Sequence, residues 1–472
     1  MNRPVLPAVP APRKASGVNP SQLTTRMAAL KLGMLNHKAG FQPVPVALQP
    51  WFLTKKQWQQ ATEAAVLLGR LLAAVAKDAE FLLQQFQPVL LGDSLPAKLA
   101  AAYAQQQQQA LPQRAGAVFL MRHDLMLNEQ QQWQWIESNS IAAGMGPLSV
   151  QLGALLQPEQ PDLAPNNATE LQANLLYREA LAQAQKHGRL TPQIVFVVEA
   201  QEDNIFDQQL LADALIRRGA LVERCTIAEL YQQQLRGQQG AGKAAAAIID
   251  KTAAVTLNGS RVDLLYFRTG YNPADFANAQ QFAWRCQLQQ QDVLLCPDLP
   301  TQLSGSKWLQ LQLSGLLQQE QGRVLLASRF GFHAAELQQL CALTVPAKPL
   351  LALEKPQIEQ LIQAGWWFKK QNEGGGNVAR GEQALQLAMK AKPQDGDFLM
   401  APVLVQQRPE PLLKFQQGRL IQQQAHISEL GIFSLGATAD YGGYLLRTKA
   451  AAALEGGVHK GNAVLDTVAL GL

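Results

Sequence analysis

Phe368 to Glu382 reads FKKQNEGGGNVARGE. Lys369 and Lys370 lead through Gln371 to Glu373, then to Gly374, Gly375, Gly376 and Asn377. Three consecutive glycines carry no side chain to shield the backbone, so their N–H groups can close on a ligand. Successive exposed N–H groups form a nest for an anion, and phosphate is the usual guest. The lysines supply positive charge, and a carboxylate at 373 suits a divalent cation held between phosphates. No Gly-Lys-Ser/Thr follows, so this is not a Walker A loop. On these residues alone a phosphate loop and a plain glycine turn fit equally well. The surrounding chain decides between them.

The chain has 472 residues, 47% hydrophobic and 16% charged, with a net charge of +5. That length supports a large core and two or three subdomains. The Lys and Arg residues are scattered rather than striped, so nucleic acid is not implied. Cys225, Cys286, Cys296 and Cys341 form no CxxC pair and have no His at ligand spacing. A zinc site or disulfide framework is therefore not expected, and a reducing cytoplasm is the natural compartment. No apolar run reaches the ~18 residues of a spanning helix, so no membrane is expected. Residues 1–40 read as a flexible arm.

Thr54-Lys-Lys-Gln57 fits a capping box, and apolar residues at helical spacing predict one long helix from there to about Phe86. A second helix is predicted over Pro96–Gln109. Ala117–Met121 reads as a strand ending in Arg122-His123-Asp124, with His123 a structural neighbour rather than a base. Trp133–Ile136 reads as a strand ending at Glu137-Ser138-Asn139. Glu137 and Asn139 lie two apart, so extended backbone turns both to one face. Such an oxygen pair suits Mg²⁺, and a strand-end turn held by Asn139 is the plainer alternative.

Ile194–Val198 has the continuous apolar character of a buried parallel strand. From about 192 to 300 the pattern alternates strand and helix like a small doubly wound domain. Asn258-Gly259 signals a hairpin between Ala253–Leu257 and Val262–Phe267. Asn204, Gln208 and Arg268 fall just past strand ends, where a polar zwitterionic ligand would be gripped. Lys307 opens a helical pattern, where a cation is disfavoured. A nearby phosphate or simple surface exposure would each explain it. Phe398–Val405 reads as a strand with Pro402 inside, hence at an edge or interrupted. Glu429 sits within an apolar strand and needs a partner, a metal or a ligand amine. Glu455 to Gly461 is a second glycine-rich basic loop, and two such loops read as lids.

These blocks together resemble the eukaryotic-type glutathione synthetases, roughly from Phe41 to Asp466. The matching stretches are IESNS at 136–140, AQEDNIFDQ at 200–208, YFRTGY at 266–271, CPDLPTQLSGSK at 296–307, KKQNEGGGN at 369–377, HISELGIF at 426–433 and LLRTK at 445–449. The resemblance implies an α/β fold, an ATP-grasp body with an inserted small doubly wound α/β substrate-binding domain. It divides the chain into the 1–40 arm, a body segment 41–191, the substrate-binding domain 192–300, and a body and lid segment 301–472. It implies ATP-dependent ligation of γ-glutamylcysteine and glycine in a homodimer, with one or two Mg²⁺ ions per subunit and ATP as co-substrate.

By position, Glu137, Asn139 and Glu373 resemble the Mg²⁺ ligands. The ATP contacts resemble Glu137, Lys307, Lys369, Gln371, Glu373, Gly374, Gly375, Gly376, Asn377, Met400, Val403, Glu429, Lys449 and Glu455. Dipeptide and glycine would meet Arg122, Ile141, Ala142, Ala143, Gly144, Glu202, Asp203, Asn204, Gln208, Arg268, Thr269, Gly270, Tyr271, Arg447, Val458 and His459. Arg122, Arg447, Lys307 and Lys369 would act directly on the reacting groups. The chain departs from the family at Thr269, where an aspartate is usual, and at Ala142–Gly144, where serines are usual. Arg380 replaces a tyrosine, and Ala401-Pro402 replaces a Glu-Lys pair, so adenine would be read by Met400 and Val403. A ligase for another acceptor amino acid and a non-catalytic ATP-binding homologue remain as alternatives.

Overall fold

The computed structural model describes residues 19–239, 254–372, 376–454, 456–458 and 461–471. Four long runs organise the central sheet: Leu120–Leu127, Trp133–Asn139, His426–Leu435 and Asp440–Ala450. Every residue of Leu120–Leu127 and of His426–Leu435 is buried, so both sheet faces are covered. Across the eight-stranded sheet the order is Arg419–Gln423, Leu412–Gln416, Val46–Ala47, Ala463–Asp466, Asp440–Ala450, His426–Leu435, Leu120–Leu127 and Trp133–Asn139. All pairs are antiparallel except Val46–Ala47 with Ala463–Asp466.

Alternation along these strands separates two jobs. Leu430 and Ile432 join the core formed with the helix Lys55–Lys77, whereas Phe433 and Leu435 join the core on the opposite face. The helix starts at the expected capping box, with Gln57 N–H donating to Thr54 Oγ1 at 3.1 Å. It approaches the sheet closely at Gly69, where a Cβ would lie 2.5 Å from Ser434 Oγ. His123 points to this helix-covered face and bonds Ser138 Oγ at 2.7 Å and Ser434 Oγ at 2.8 Å. Its neighbours along the strand, Arg122 and Asp124, point to the other face, where the site lies.

A second sheet has five parallel strands in the order Gly116–Ala117, Leu294–Cys296, Leu264–Phe267, Gln193–Val197 and Leu221–Cys225. The chain runs outward from Gln193–Val197 to one side first and then to the other. The carboxyl ends of Gln193–Val197 and Leu264–Phe267 therefore flank the crevice where ligands bind in open α/β sheets. A third, antiparallel sheet orders Ala347–Pro349, Phe398–Met400, Trp367–Lys369 and Val378–Ala379.

Several sequence expectations are corrected. Residues 19–40 are not a loose arm. Asn19 caps the helix Pro20–Ala29, which buries Leu23 and Met27, and Gly33–Asn36 pairs with Gly40–Pro43. The helix expected to run to Phe86 breaks at Asp78, whose side chain caps a new helix Ala79–Phe86. Arg122-His123-Asp124 lie mid-strand rather than at a strand end, because the ladder continues to Leu127. The hairpin at Asn258-Gly259 exists, with both residues at positive φ, but it joins only Thr256–Leu257 to Ser260–Arg261. Leu264–Phe267 instead pairs in parallel with Gln193–Val197. The strand expected over 398–405 ends at Met400, before Ala401-Pro402, as a proline without an N–H requires.

All four cysteines are free thiols. Burial holds the His123 imidazole neutral, its pKa lowered to about 3, with Asp124 opposing and Arg122 assisting. The unfolded chain takes up a proton there near pH 6.5 and the folded chain does not, so acidification below that value costs stability. Replacing His123 by Gln should shrink the wild-type stability advantage by up to about 2 kcal/mol between pH 7 and pH 5, read from urea midpoints. A pH-independent difference would mean that His123 titrates normally in the fold.

Candidate active site

The ladder on the face opposite the helix Lys55–Lys77 is built by strand register. Asp124 lies opposite Glu137 on one side and Gly431 on the other, while Glu429 lies opposite Arg447. Asp124 is fully buried and accepts from Arg122 Nε and Nη2, both at 2.7 Å. It also accepts from Asn139 Nδ2 at 3.0 Å and Arg447 Nη2 at 2.9 Å. Arg447 pairs in turn with Glu429. Glycine is required at 431 because a Cβ there would sit 2.6 Å from Asp124 Oδ1 and 2.8 Å from Arg122 Cδ.

This ladder forms one wall of a cavity of about 500 Å³. At one end stand Glu137, Lys307, Lys369 and Lys449. Lys307 is the first residue of the helix Lys307–Gln318, capped by Ser306, and it is buried, which removes surface exposure as the reason for a cation there. Its Nζ donates to Asn372 O at 3.1 Å and stands 3.8 Å from Glu137 Oε2. Lys369 Nζ donates to Ile136 O and Lys449 Nζ to Leu454 O. Burial pushes the Glu137 carboxyl up, but Lys307, Lys369, Arg447 and Arg122 outweigh it and bring the pKa down to about 2. A permanently ionised carboxylate beside buried lysines suits polyanions and their counter-cation. Trp367, Met400 and Val403 add an apolar wall.

The other end lies at the crevice of the parallel sheet. Arg268 follows Leu264–Phe267 and is buried, donating to Tyr266 Oη at 3.2 Å and to Asp207 Oδ2 at 3.3 Å. Asp207 also accepts from the Met145 and Leu148 N–H groups, so one carboxylate fixes Arg268 and the start of the helix Gly146–Leu156. The turn before that helix puts Ala142 and Met145 at positive φ, and a Cβ at Gly144 would lie 2.2 Å from Arg268 Nη2. Glu202 accepts from Asn204 N–H at 2.9 Å and Gln208 Nε2 at 2.6 Å.

Of the residues singled out in the sequence, Arg122, Glu137, Asn139, Ile141, Ala142, Gly144, Glu202, Asp203, Asn204, Gln208, Arg268, Tyr271, Lys307, Lys369, Asn377, Met400, Val403, Glu429, Arg447 and Lys449 all line this one cavity. Six do not. Ala143 and Val458 pack into the core. Thr269 is buried behind the wall, and Gly270 is held by Asp275 and Gln302. Gln371 turns away to Gly396 O, and Gly376 is not part of the wall. Glu373, Gly374, Gly375, Glu455 and His459 lie outside the described residues, and with them the reading of the two loops as lids.

Sequence reasoning passed over Asp124, Asp207, Glu199 and Gly431. It also passed over Met34, which brings the supposed arm into the cavity wall. Asp124 was legible in principle: it sits two residues from Arg122 and so shares its face. Replacing Asp124 by Leu takes away the bidentate partner of Arg122 and one of the two carboxylates on Arg447. A loss of about 3–5 kcal/mol is expected in urea denaturation. A loss under about 1 kcal/mol would show that the arginines do not depend on it.

The chain matches the family model described as "Eukaryotic glutathione synthase, ATP binding domain" over residues 24–470. It is 29% identical over 454 residues to a chloroplastic glutathione synthetase of Solanum lycopersicum, covering 90% of this chain and 77% of that protein. It is 28% identical over 456 residues to a glutathione synthetase of Xenopus laevis, covering 89% of each. The fold is similar to the solved apo structure of a glutathione synthetase-like effector from Globodera pallida, with a TM-score of 0.66, 14% identity and 96% of both chains covered.

Proposed function

The chain belongs to the eukaryotic glutathione synthase family, and from that premise we propose that it joins γ-glutamylcysteine to glycine with ATP, giving glutathione, ADP and phosphate. The observation that carries the reading at residue level is the Arg122–Asp124–Arg447–Glu429 ladder meeting Glu137 and three lysines inside one cavity. Arginine forks suit a carboxylate, and lysines suit phosphate as point charges. The named relatives from plants and animals share the glutathione product, so glycine is the acceptor proposed.

The chemistry then runs in two steps. An oxygen of the dipeptide's cysteinyl carboxylate attacks the γ-phosphorus of ATP, and ADP leaves. Arg122 and Arg447 hold the attacking carboxylate while Lys307, Lys369 and Lys449 offset the meeting of two anions. The glycine amine next attacks the acyl carbon, loses a proton, and inorganic phosphate departs with one former carboxylate oxygen. Asp124 and Glu429 keep the arginines fixed, so little reorganisation accompanies transfer.

Glu137 and the Asn139 side-chain oxygen fit Mg²⁺. Both are oxygen donors on one strand face, Asn139 Nδ2 is already committed to Asp124, and Glu137 stays ionised. When bound, Mg²⁺ would neutralise charge on the phosphates. We further place the enzyme in a reducing compartment such as the cytoplasm, motivated by its four free thiols, and read it as a homodimer. Light scattering should then give twice the 51.5 kDa chain mass, and a monomer at micromolar concentration would refute the dimer.

Glu137→Gln should lower kcat by about 100-fold or more, with the fold retained by circular dichroism and a lowered melting temperature as the buried lysines lose their counter-charge. Near-normal turnover at saturating Mg²⁺ would remove Glu137 from the site. Dipeptide carrying ¹⁸O in its cysteinyl carboxylate should pass one label to phosphate during ligation, followed by mass spectrometry. Unlabelled phosphate alongside glutathione would exclude the acylphosphate and the roles assigned to these arginines and lysines.

A further inference from the structure

The backbone that follows Lys369 is pegged residue by residue. Strand pairing ends where Lys369 lies opposite Phe398. Beyond that point Lys370 N–H donates to Asn377 O at 2.9 Å, and Asn372 O accepts from Lys307 Nζ at 3.1 Å. Between them Gln371 is buried and is held twice by the turn that leads into Phe398–Met400. Its Nε2 donates to Gly396 O at 2.7 Å, and its backbone N–H donates to Asp397 Oδ1 at 2.9 Å. A side-chain carboxylate thus carries the ladder past its last paired residues.

That turn is itself fastened to the body. Asp395 Oδ1 accepts from Asp93 N–H at 2.6 Å, and Asp397 O accepts from Leu350 N–H at 3.0 Å. Gly396 stands at positive φ, and a Cβ there would lie 3.0 Å from Trp308, the residue after Lys307. Asp397 is 4% exposed, and the one hydrogen bond its side chain accepts among the described residues is that of Gln371 N–H. The charges facing it are Lys370 beside Gln371 and Asp395 on its own turn; Asp93, across the turn, pairs with Lys392. Burial pushes its pKa up to about 6, with Gln371 and Lys370 opposing and Asp395 adding. Between its ordinary value and about 6 the folded chain holds a proton that the unfolded chain releases, so above that window the ionised group is a cost to the fold. What the charge adds is a stronger acceptor for one N–H beside the lysines of the site.

We propose that Asp397 is a positioning residue for the nucleotide: its carboxylate pegs the Gln371 N–H, and so fixes Lys369 on one side and Asn372 with Lys307 on the other. The inference rests on reading this end of the cavity as the ATP end. It goes beyond that reading because Asp397 lies outside the cavity wall and acts only through the backbone of residue 371. ATP affinity then depends on the charge state of a group that touches no substrate.

The test uses the full-length protein and Asp397→Asn, which matches the side chain in shape and keeps an acceptor but removes the charge. Kd for ATP with Mg²⁺ is measured by titration calorimetry between pH 8 and pH 5, and ligation of γ-glutamylcysteine and glycine is followed in parallel. At pH 8 the variant should bind ATP about fivefold more weakly than the wild type, with KM for γ-glutamylcysteine within about twofold. The ratio of the two Kd values should fall toward one as the pH drops through about 6, because the wild-type carboxylate then takes up its proton. Titration of ATP itself cancels in that ratio. Asp397→Ala, which leaves the N–H without an acceptor, should weaken binding further and at every pH. A ratio that stays at one throughout would overturn the inference, and a ratio raised equally at every pH would assign Asp397 a structural role only. Wild-type protein that binds ATP without making glutathione would overturn the proposed activity and leave this inference standing; wild-type protein that binds no ATP would overturn both.

Discussion

One buried carboxylate sets the terms for the rest of the site. Asp124 has no contact with solvent, yet it joins three strands of the sheet through Arg122, Asn139 and Arg447, reaching across His426–Leu435 to the last of them. Burying an ion is costly unless its lone pairs are met, and removing a partner leaves the others uncompensated. Each member therefore holds the others in place. The arrangement needs the strand register to be right and needs a glycine at 431, since a methyl group there would occupy the space of the Asp124–Arg122 contact.

In the proposed reaction that geometry would bring two like-charged reactants together. The arginines are pinned by Asp124 and Glu429, and Glu137 is kept ionised by the lysines beside it. Fixed dipoles and charges of this kind stabilise a transition state without having to rearrange during it. At the far end the same principle recurs with Asp207, which fixes Arg268 and the backbone of the 142–145 turn together. The two ends stand on different sheets, so the cavity is shaped by how the antiparallel body and the parallel insert pack.

The sequence made much of this legible, and the failures have physical reasons. Period-two spacing placed Glu137 and Asn139 on one face, and continuous apolar runs marked the parallel insert. The capping box at Thr54 was read correctly because it is a local interaction. Asp124 and Asp207 escaped notice because their partners lie far away in sequence, and no local pattern reports on such pairing. Ala143, Thr269 and Gly270 share motifs with site residues but not their direction, because adjacent residues on extended or turning backbone point different ways. Residues 19–40 read as loose because they continue from a basic, proline-bearing stretch, MNRPVLPAVPAPRKASG. Their order comes from distant contacts such as Lys31 with Asp213 and Phe41 on Phe206.

The strand order of the central sheet also governs how the protein comes into being. Val46–Ala47 lies between Leu412–Gln416 and Ala463–Asp466, and Trp51–Thr54 pairs with Val468–Gly471. The helix Lys55–Lys77 therefore leaves the ribosome long before the strands it covers, and its apolar face waits on the order of tens of seconds at ordinary rates of translation. During that interval the parallel insert, built almost wholly from residues 193–296, can already pair its own strands. Synthesis thus yields a folded insert carried on an unfinished body. The ladder around Asp124, which unites residues 122–139 with 429–447, is among the last features to form. A chain halted before its final strands would carry the Arg268–Asp207 end of the cavity without the Glu429–Arg447 end.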